Sequence, residues 1–318
     1  MIDSSREHHW WPVGLQRYWA DRHGDVFWIE PDGKLQKKRV KNRKIAYKSH
    51  GHTMLRGSPW RTNFESDFQS ADDAVPRVIE ALLKLKPLGM GLLDFFKLIR
   101  LRFRKDRKLH DMCNFFHLEE EVHRGLLTIL FSLLLRSPAN RASYEAYPRM
   151  FGMPDDEEVG KGNIYQKYRI AKRLSATSSL VNQYVILLYS PRKTFLFGDG
   201  ILDWLTPKLS ANRIDGRTLI TLTPNLCVYF CTPRLMRTTP NCASIIAAPW
   251  MVDWVNNLVQ IHSRTQLFFT GGPPVLSASF RQRQFLQLAD RTDPFVDLLD
   301  EVANFLGAGF TAAGRRKA

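Results

Sequence analysis

A chain of 318 residues, 44% hydrophobic and 12% aromatic, can bury a substantial core, which excludes a disordered chain or a small disulfide scaffold. Its 46 Lys and Arg against 31 Asp and Glu give a formal charge of +15, which favours polyanionic partners: nucleic acid, nucleotides or an anionic membrane face. Residues 1–6 lack the apolar stretch of a signal peptide, and the apolar run 126–135 is too short for a bilayer crossing of about 20 residues, so a cytoplasmic protein is expected.

In chain order, the opening crowds His8, His9, Trp10, Trp11, Pro12, Arg17, Tyr18, Trp19 and Asp21 together. Residues 25–30 then read as a strand, Pro31, Asp32 and Gly33 as a turn, and 34–40 as the return strand of a β-hairpin. From Lys34 to Lys48 the chain carries eight basic residues and no acid. Residues 42–60, holding His50, Gly51, His52, Gly57 and Pro59, read as a loop, and loops often carry sites.

Val75, Val78, Ile79, Leu82 and Leu83 recur at helical spacing and predict a helix over 72–86, with Pro76 in its first turn and Pro87 as its stop. A basic helical stretch over 91–109 follows, then a long helix over 110–136 ended by Ser137 and Pro138, and a short one within 139–147. Residues 154–162 read as an acidic surface loop, with a sub-boundary near 152–163. Helix is expected over 164–173, and 179–189 reads as helix or strand. Segments 194–197, 218–222 and 227–231 read as strands of a second, smaller sheet. Residues 252–267 and a stretch within 285–306 read as helices, and 307–318 as a loose basic tail. This order predicts a single α+β domain over 1–318: N-terminal β-hairpin, helical middle, small second sheet and C-terminal helices.

Cys113, Cys227, Cys231 and Cys242 read as buried thiols, because their spacing matches no standard zinc pattern. Glu120 and His123 have the Glu-x-x-His spacing of diiron helices. No second pair exists, and three consecutive glutamates cannot all face inward, so a solvated acidic turn is expected. Asp21, Arg22 and His23 lack a nucleophile and read as a local group, and Gly198-Asp199-Gly200 reads as a turn. Trp10, Trp11, Trp19, Trp28 and Trp60 suit core packing or stacking on bases.

The run His9-Trp-Trp-Pro12, then Arg17, Trp19, Ala20-Asp21 and a strand at 26–29, resembles the start of an uncharacterised bacterial domain-of-unknown-function family (DUF 4238-like). Members open His-Tyr-Val-Pro, continue to an Arg and an aromatic residue, and enter a hairpin. Arg136, Pro138 and Arg141 are similar to the family's helix-ending Arg-x-Pro segment, Phe195-Leu-Phe-Gly-Asp199 to its Thr-Ser-Asp-Asn-Pro strand end, and 219–224 to its Pro-Leu-Ser-Pro step. Gln16 stands where the family has Leu, and Gly200 where it has Asn. The resemblance implies shared architecture and convergence of His9, Arg17, Arg136 and Asp199; it supplies no activity.

Such a set has two uses. It can be a buried clamp locking the hairpin to the helical body, since buried charges persist only when paired, within a non-catalytic module that binds nucleic acid or protein. Alternatively it lines a cleft in which Arg17, Arg136, Arg141 and His50 hold a phosphate, while His9 and Asp199 handle a proton or a divalent metal. The second use implies a phosphodiester hydrolase acting on nucleic acid or a nucleotide, in a bacterial defence or mobile-element setting.

Overall fold

A computed structural model describes residues 7–42, 45–54, 62–85, 96, 108–177, 183–233, 240–283 and 293–314. The chain begins with β1 (Glu7–His9), α1 (Val13–Trp19), β2 (Asp25–Ile29), β3 (Leu35–Arg39), β4 (Tyr47–Ser49), β5 (Thr53–Met54), β6 (Thr62–Asn63) and α2 (Gln69–Lys84). Next come β7 (Asn114–Phe116), α3 (Glu120–Arg136), α4 (Pro138–Glu145), α5 (Glu157–Thr177), β8 (Tyr184–Tyr189), β9 (Phe197–Gly198) and β10 (Leu202–Asp203). The remainder is β11 (Arg217–Thr223), β12 (Leu226–Cys231), β13 (Cys242–Ile246), α6 (Pro249–His262), β14 (Leu267–Phe269), α7 (Ala278–Arg281) and α8 (Pro294–Gly314). The fold is α+β.

The central sheet has six strands in the order β10-β11-β12-β8-β13-β7, antiparallel except for the parallel pair β13 and β8. Alternation of side chains across each strand gives it two apolar faces. Val185, Leu187, Val228 and Phe230 pack with Val78, Leu82, Leu126 and Leu130 of α2 and α3. Ile186, Leu188, Cys227 and Tyr229 pack with Met251 and Val255 of α6 and Val296 and Leu299 of α8. Helices cover both faces, so β12 is buried at every residue. That is why these strands read as unbroken apolar runs rather than alternating ones.

The hairpin forms as expected, with Phe27 opposite Lys37. It belongs to a four-stranded sheet, β3-β2-β14-β9, and two-stranded ribbons join β1 to β4 and β5 to β6. The aromatic opening is core: Trp11 and Trp19 are fully buried, Trp11 lies 4.6 Å from Phe197 and 4.5 Å from Phe268, and Trp19 Nε1 donates to Leu222 O at 3.1 Å.

Several boundaries differ from expectation. Residues 42–60 contain two short strands, β4 and β5. The helix expected from Asp72 begins at Gln69, so Pro76 lies in its interior. The helix expected from His110 begins at Glu120; before it the chain makes a one-turn 3-10 helix, Leu109–Met112, and edge strand β7. The sheet expected to be the smaller has six strands against four. Leu267 starts a strand after α6 has ended at His262, and α8 runs to Gly314 where a loose tail is expected. The basic stretch 91–109, apart from Phe96 and its last two residues, and Trp60 lie outside the described residues. Glu119, Glu120 and Glu121 are exposed at the start of α3, while His123 is buried.

Candidate functional site

The β1/β4 ribbon lies against the junction of α3 and α4. In β1 the side chains alternate, so His8 and Trp10 turn inward and His9 outward. Trp10 N donates to Ala46 O at 3.0 Å, and Gln16 Nε2 reaches Trp11 O at 2.8 Å and Ile45 O at 3.3 Å, which fixes the ribbon to α1. At the junction, the Ser137 hydroxyl accepts from Asn140 N at 3.3 Å and Pro138 takes the first helical position of α4. The break sets Arg136 and Arg141 on either side of a single cap.

Between these elements is a cavity of about 330 Å³ whose wall includes His8, Lys48, His52, Arg136, Arg141 and Tyr47. Its two buried arginines differ. Arg136 is saturated: Nη1 donates to His9 O and Asp72 Oδ2, each at 3.2 Å, Nη2 to Asp72 Oδ1 and Ser132 Oγ, and Nε to Ser132 O at 3.3 Å. Burial works against its charge, and Asp72, with Glu65 and Tyr168, outweighs that and raises its pKa. Arg141 is only 6% exposed, and its Nη1 has no hydrogen-bond partner among the described residues. Burial lowers its proton affinity, with Glu145, Glu157 and Glu65 opposing. Lys48 is tied to Glu145 at 3.4 Å and Glu157 at 3.0 Å.

His52, 1% exposed, is the second unusual group. Its backbone N–H donates to His8 Nδ1 at 2.7 Å, its ring stacks on His8 with centroids 5.2 Å apart, and its Nδ1 pairs with Glu65 Oε2. Its Nε2 is buried with no hydrogen-bond partner among the described residues. Burial, then the Arg141 and Arg136 charges, hold its pKa well below the usual range. The ring is therefore a neutral imidazole with Nδ1–H toward Glu65 and a lone pair on Nε2.

His8, His52 and Glu65 carry donor atoms within 4.8 Å of one another, so among the described residues this is where a divalent ion would sit. One contact opposes such an ion: His8 Nδ1 already accepts the His52 N–H. Arg136, Lys48 and Lys161 are each paired with carboxylates, which leaves Arg141 as the cation of this group with no ion pair among the described residues.

Of the residues expected to converge, Arg136 and Arg141 line this cavity. His9 is half-buried and gives Arg136 its backbone carbonyl. Asp199 is fully buried behind cavity residue Thr265: its carboxylate accepts from Arg264 N at 2.7 Å, from Thr265 N at 3.0 Å and from Thr265 Oγ1. Burial raises its pKa against those bonds. Its position is that of an anchor between α6 and β14. Arg17 is exposed in a different cavity, and His50 is exposed with φ of 52° in the turn after β4. Glu65 escaped the sequence reading, and His8 and His52 were noted there in the opening and in the loop without being placed among the site residues. Strand alternation could have found His8, because burying Trp10 buries residue 8 and exposes residue 9. Nothing local ties His52 to Glu65.

No family model, curated protein or solved structure matches the chain.

Proposed function

We propose that this cavity holds a phosphate group of a nucleotide or nucleic acid and hydrolyses its phosphodiester bond. One observation carries the reading: among the described residues, two residues of the wall hold unpartnered buried atoms, a donor at Arg141 Nη1 and an acceptor at His52 Nε2. Each costs about 1–3 kcal/mol while unpaired. A ligand that satisfies both presents an anionic oxygen to the guanidinium and an O–H to the imidazole. A phosphodiester with its attacking water has both. Arg141 would grip a non-bridging oxygen and stabilise the charge that grows there. His52, oriented by Glu65, would take the proton of the water as its oxygen bonds to phosphorus. The ester P–O bond breaks, and the leaving oxygen is protonated by solvent. Tyr47, 40% exposed on the same wall, offers a ring to a base.

Saturation of Arg136 and Asp199 favours the clamp as the role of those two residues, and it is compatible with a non-catalytic module. Substitution separates the readings. Arg141→Met should abolish stabilisation by inorganic phosphate and cut hydrolysis of bis(p-nitrophenyl) phosphate by about a hundredfold or more, while melting temperature holds or rises. Arg136→Met should instead cost about 3–5 kcal/mol of stability, because it strands Asp72. His52→Gln should retain phosphate binding and lose hydrolysis. Phosphate binding without hydrolysis in the wild type would leave the binding module; absence of phosphate binding would end the proposal.

A further inference from the structure

A second cavity, of about 650 Å³, opens between α1, the turn before β2 and the end of β3; its charged and imidazole lining is Arg17, Arg22, His23, Arg39 and Lys41 with one acid, Asp21, whose Oδ1 accepts from the backbone of His23 and Asp25. We infer that the substrate is a strand of nucleic acid rather than a free nucleotide, and that this cavity holds phosphates flanking the one at Arg141. The inference rests on the phosphodiester reading of the first cavity.

β3 is an edge strand, and Lys-rich edges discourage strand pairing between molecules, which accounts for Lys37 and Arg39. Those two are also partly neutralised by Asp25, at 4.0 and 3.5 Å. Edge protection does not account for Arg17 on α1, Arg22 in the turn or Lys41 beyond β3. Among the described residues none of these three forms an ion pair, and three separate elements converge them on one concavity.

The two cavities are neighbours. Trp10 lines the first and Val13 the second, so their walls approach within about 11 Å along the backbone. A strand of several nucleotides carries a charge at every linkage and can place phosphates in both cavities, whereas a nucleoside monophosphate has only one to place. An anionic membrane is a poorer fit, because none of the exposed large apolar side chains lines the second cavity, and surface-bound proteins insert such side chains.

The test uses the whole protein and a labelled single-stranded oligonucleotide, followed by fluorescence anisotropy at several salt concentrations. The combined variant Arg17→Ser, Arg22→Ser, Lys41→Ser should bind at least tenfold more weakly. The slope of log affinity against log salt should shrink by about 2, near 0.7 per lost phosphate contact. Its melting temperature and its stabilisation by inorganic phosphate should match the wild type. Unchanged oligonucleotide affinity and slope would overturn the inference, as would binding to phosphatidylserine vesicles with none to the oligonucleotide. Loss of phosphate stabilisation in Arg141→Met alone, with the triple variant behaving as expected, supports both proposals. A triple-variant effect in a protein that never responds to inorganic phosphate removes the first cavity's role and leaves the second as a docking surface only.

Discussion

His123 shows what one buried residue does to the pH dependence of the fold. Its ring is enclosed beside Phe230 and Asn241, and burial, then His117 and Arg124, lower its pKa to about 4 against the opposing pull of Glu120. His262, lowered by burial alone, also stands at about 4. Above pH ~6.5 both states hold these rings neutral, and no penalty arises. As pH falls from there toward 4, the unfolded chain takes up protons that the folded chain refuses. Stability therefore drops by up to about 1.4 kcal/mol per pH unit for each ring. His52 and His110 are lowered as well and add to the same slope, so urea unfolding between pH 7 and 5 should show the loss, and His123→Phe should remove only the share of that one ring, up to about 1.4 kcal/mol per pH unit. A variant with the wild-type slope would show that His123 is protonated in the folded state.

At the scale of elements, the segment from β9 through Asp199 to β10 lies under the end of α6. A Cβ at Gly198 would overlap the Ser263 hydroxyl, and one at Gly200 the His262 carbonyl oxygen. The two glycines let the chain slide beneath the helix while Asp199 caps the turn into β14. Gly200→Ala should cost about 3 kcal/mol, because the obstacle is backbone. Gly162→Ala, in open space within α5, should gain up to about 1 kcal/mol. Urea midpoints of the two variants on opposite sides of the wild type would confirm the contrast. Elements with one wet face were legible in the sequence: the hairpin, α2, and the stop of α3 at Ser137 and Pro138. Residues 184–189 left helix and strand equally open, because burial on both faces of β8 erases the period of two. The run before α3 misled for another reason: β7 exists only because β13 supplies an edge for it. In the candidate site, Arg136 and Arg141 came from the resemblance of their segment to a helix-ending Arg-x-Pro motif. The partner of Arg136, Asp72, lies 64 residues away, and no spacing rule reaches that far.

Across the whole molecule, the four thiols report on how the layers open. Cys227, Cys231 and Cys242 lie within β12 and β13, all buried and free, and burial raises each well above the ordinary range. Cys113, pushed up to about 12, precedes edge strand β7. A thiol reagent such as Ellman's should find no reactive cysteine in the native protein and four in guanidinium. At intermediate denaturant Cys113 should react first, since sheet edges open at lower cost than sheet centres. Fast reaction of a β12 cysteine under native conditions would contradict the two-sided cover. No helix among the described residues is long and apolar enough to cross a membrane.

The four-stranded sheet also sets an order of events at the ribosome. β2, near the start of the chain, pairs along one edge with β3, its immediate successor, and along the other with β14, which begins at Leu267. At about 5–20 residues per second, synthesis separates β2 from β14 by roughly ten to fifty seconds. During that interval the nascent hairpin has a lysine-rich edge on β3 and a bare edge on β2, where Phe27, Trp28 and Ile29 await Phe269, Phe268 and Leu267. The growing chain is thus most vulnerable to mispairing along that edge. A holding chaperone, or slow passage through the last third of the message, would be felt there first.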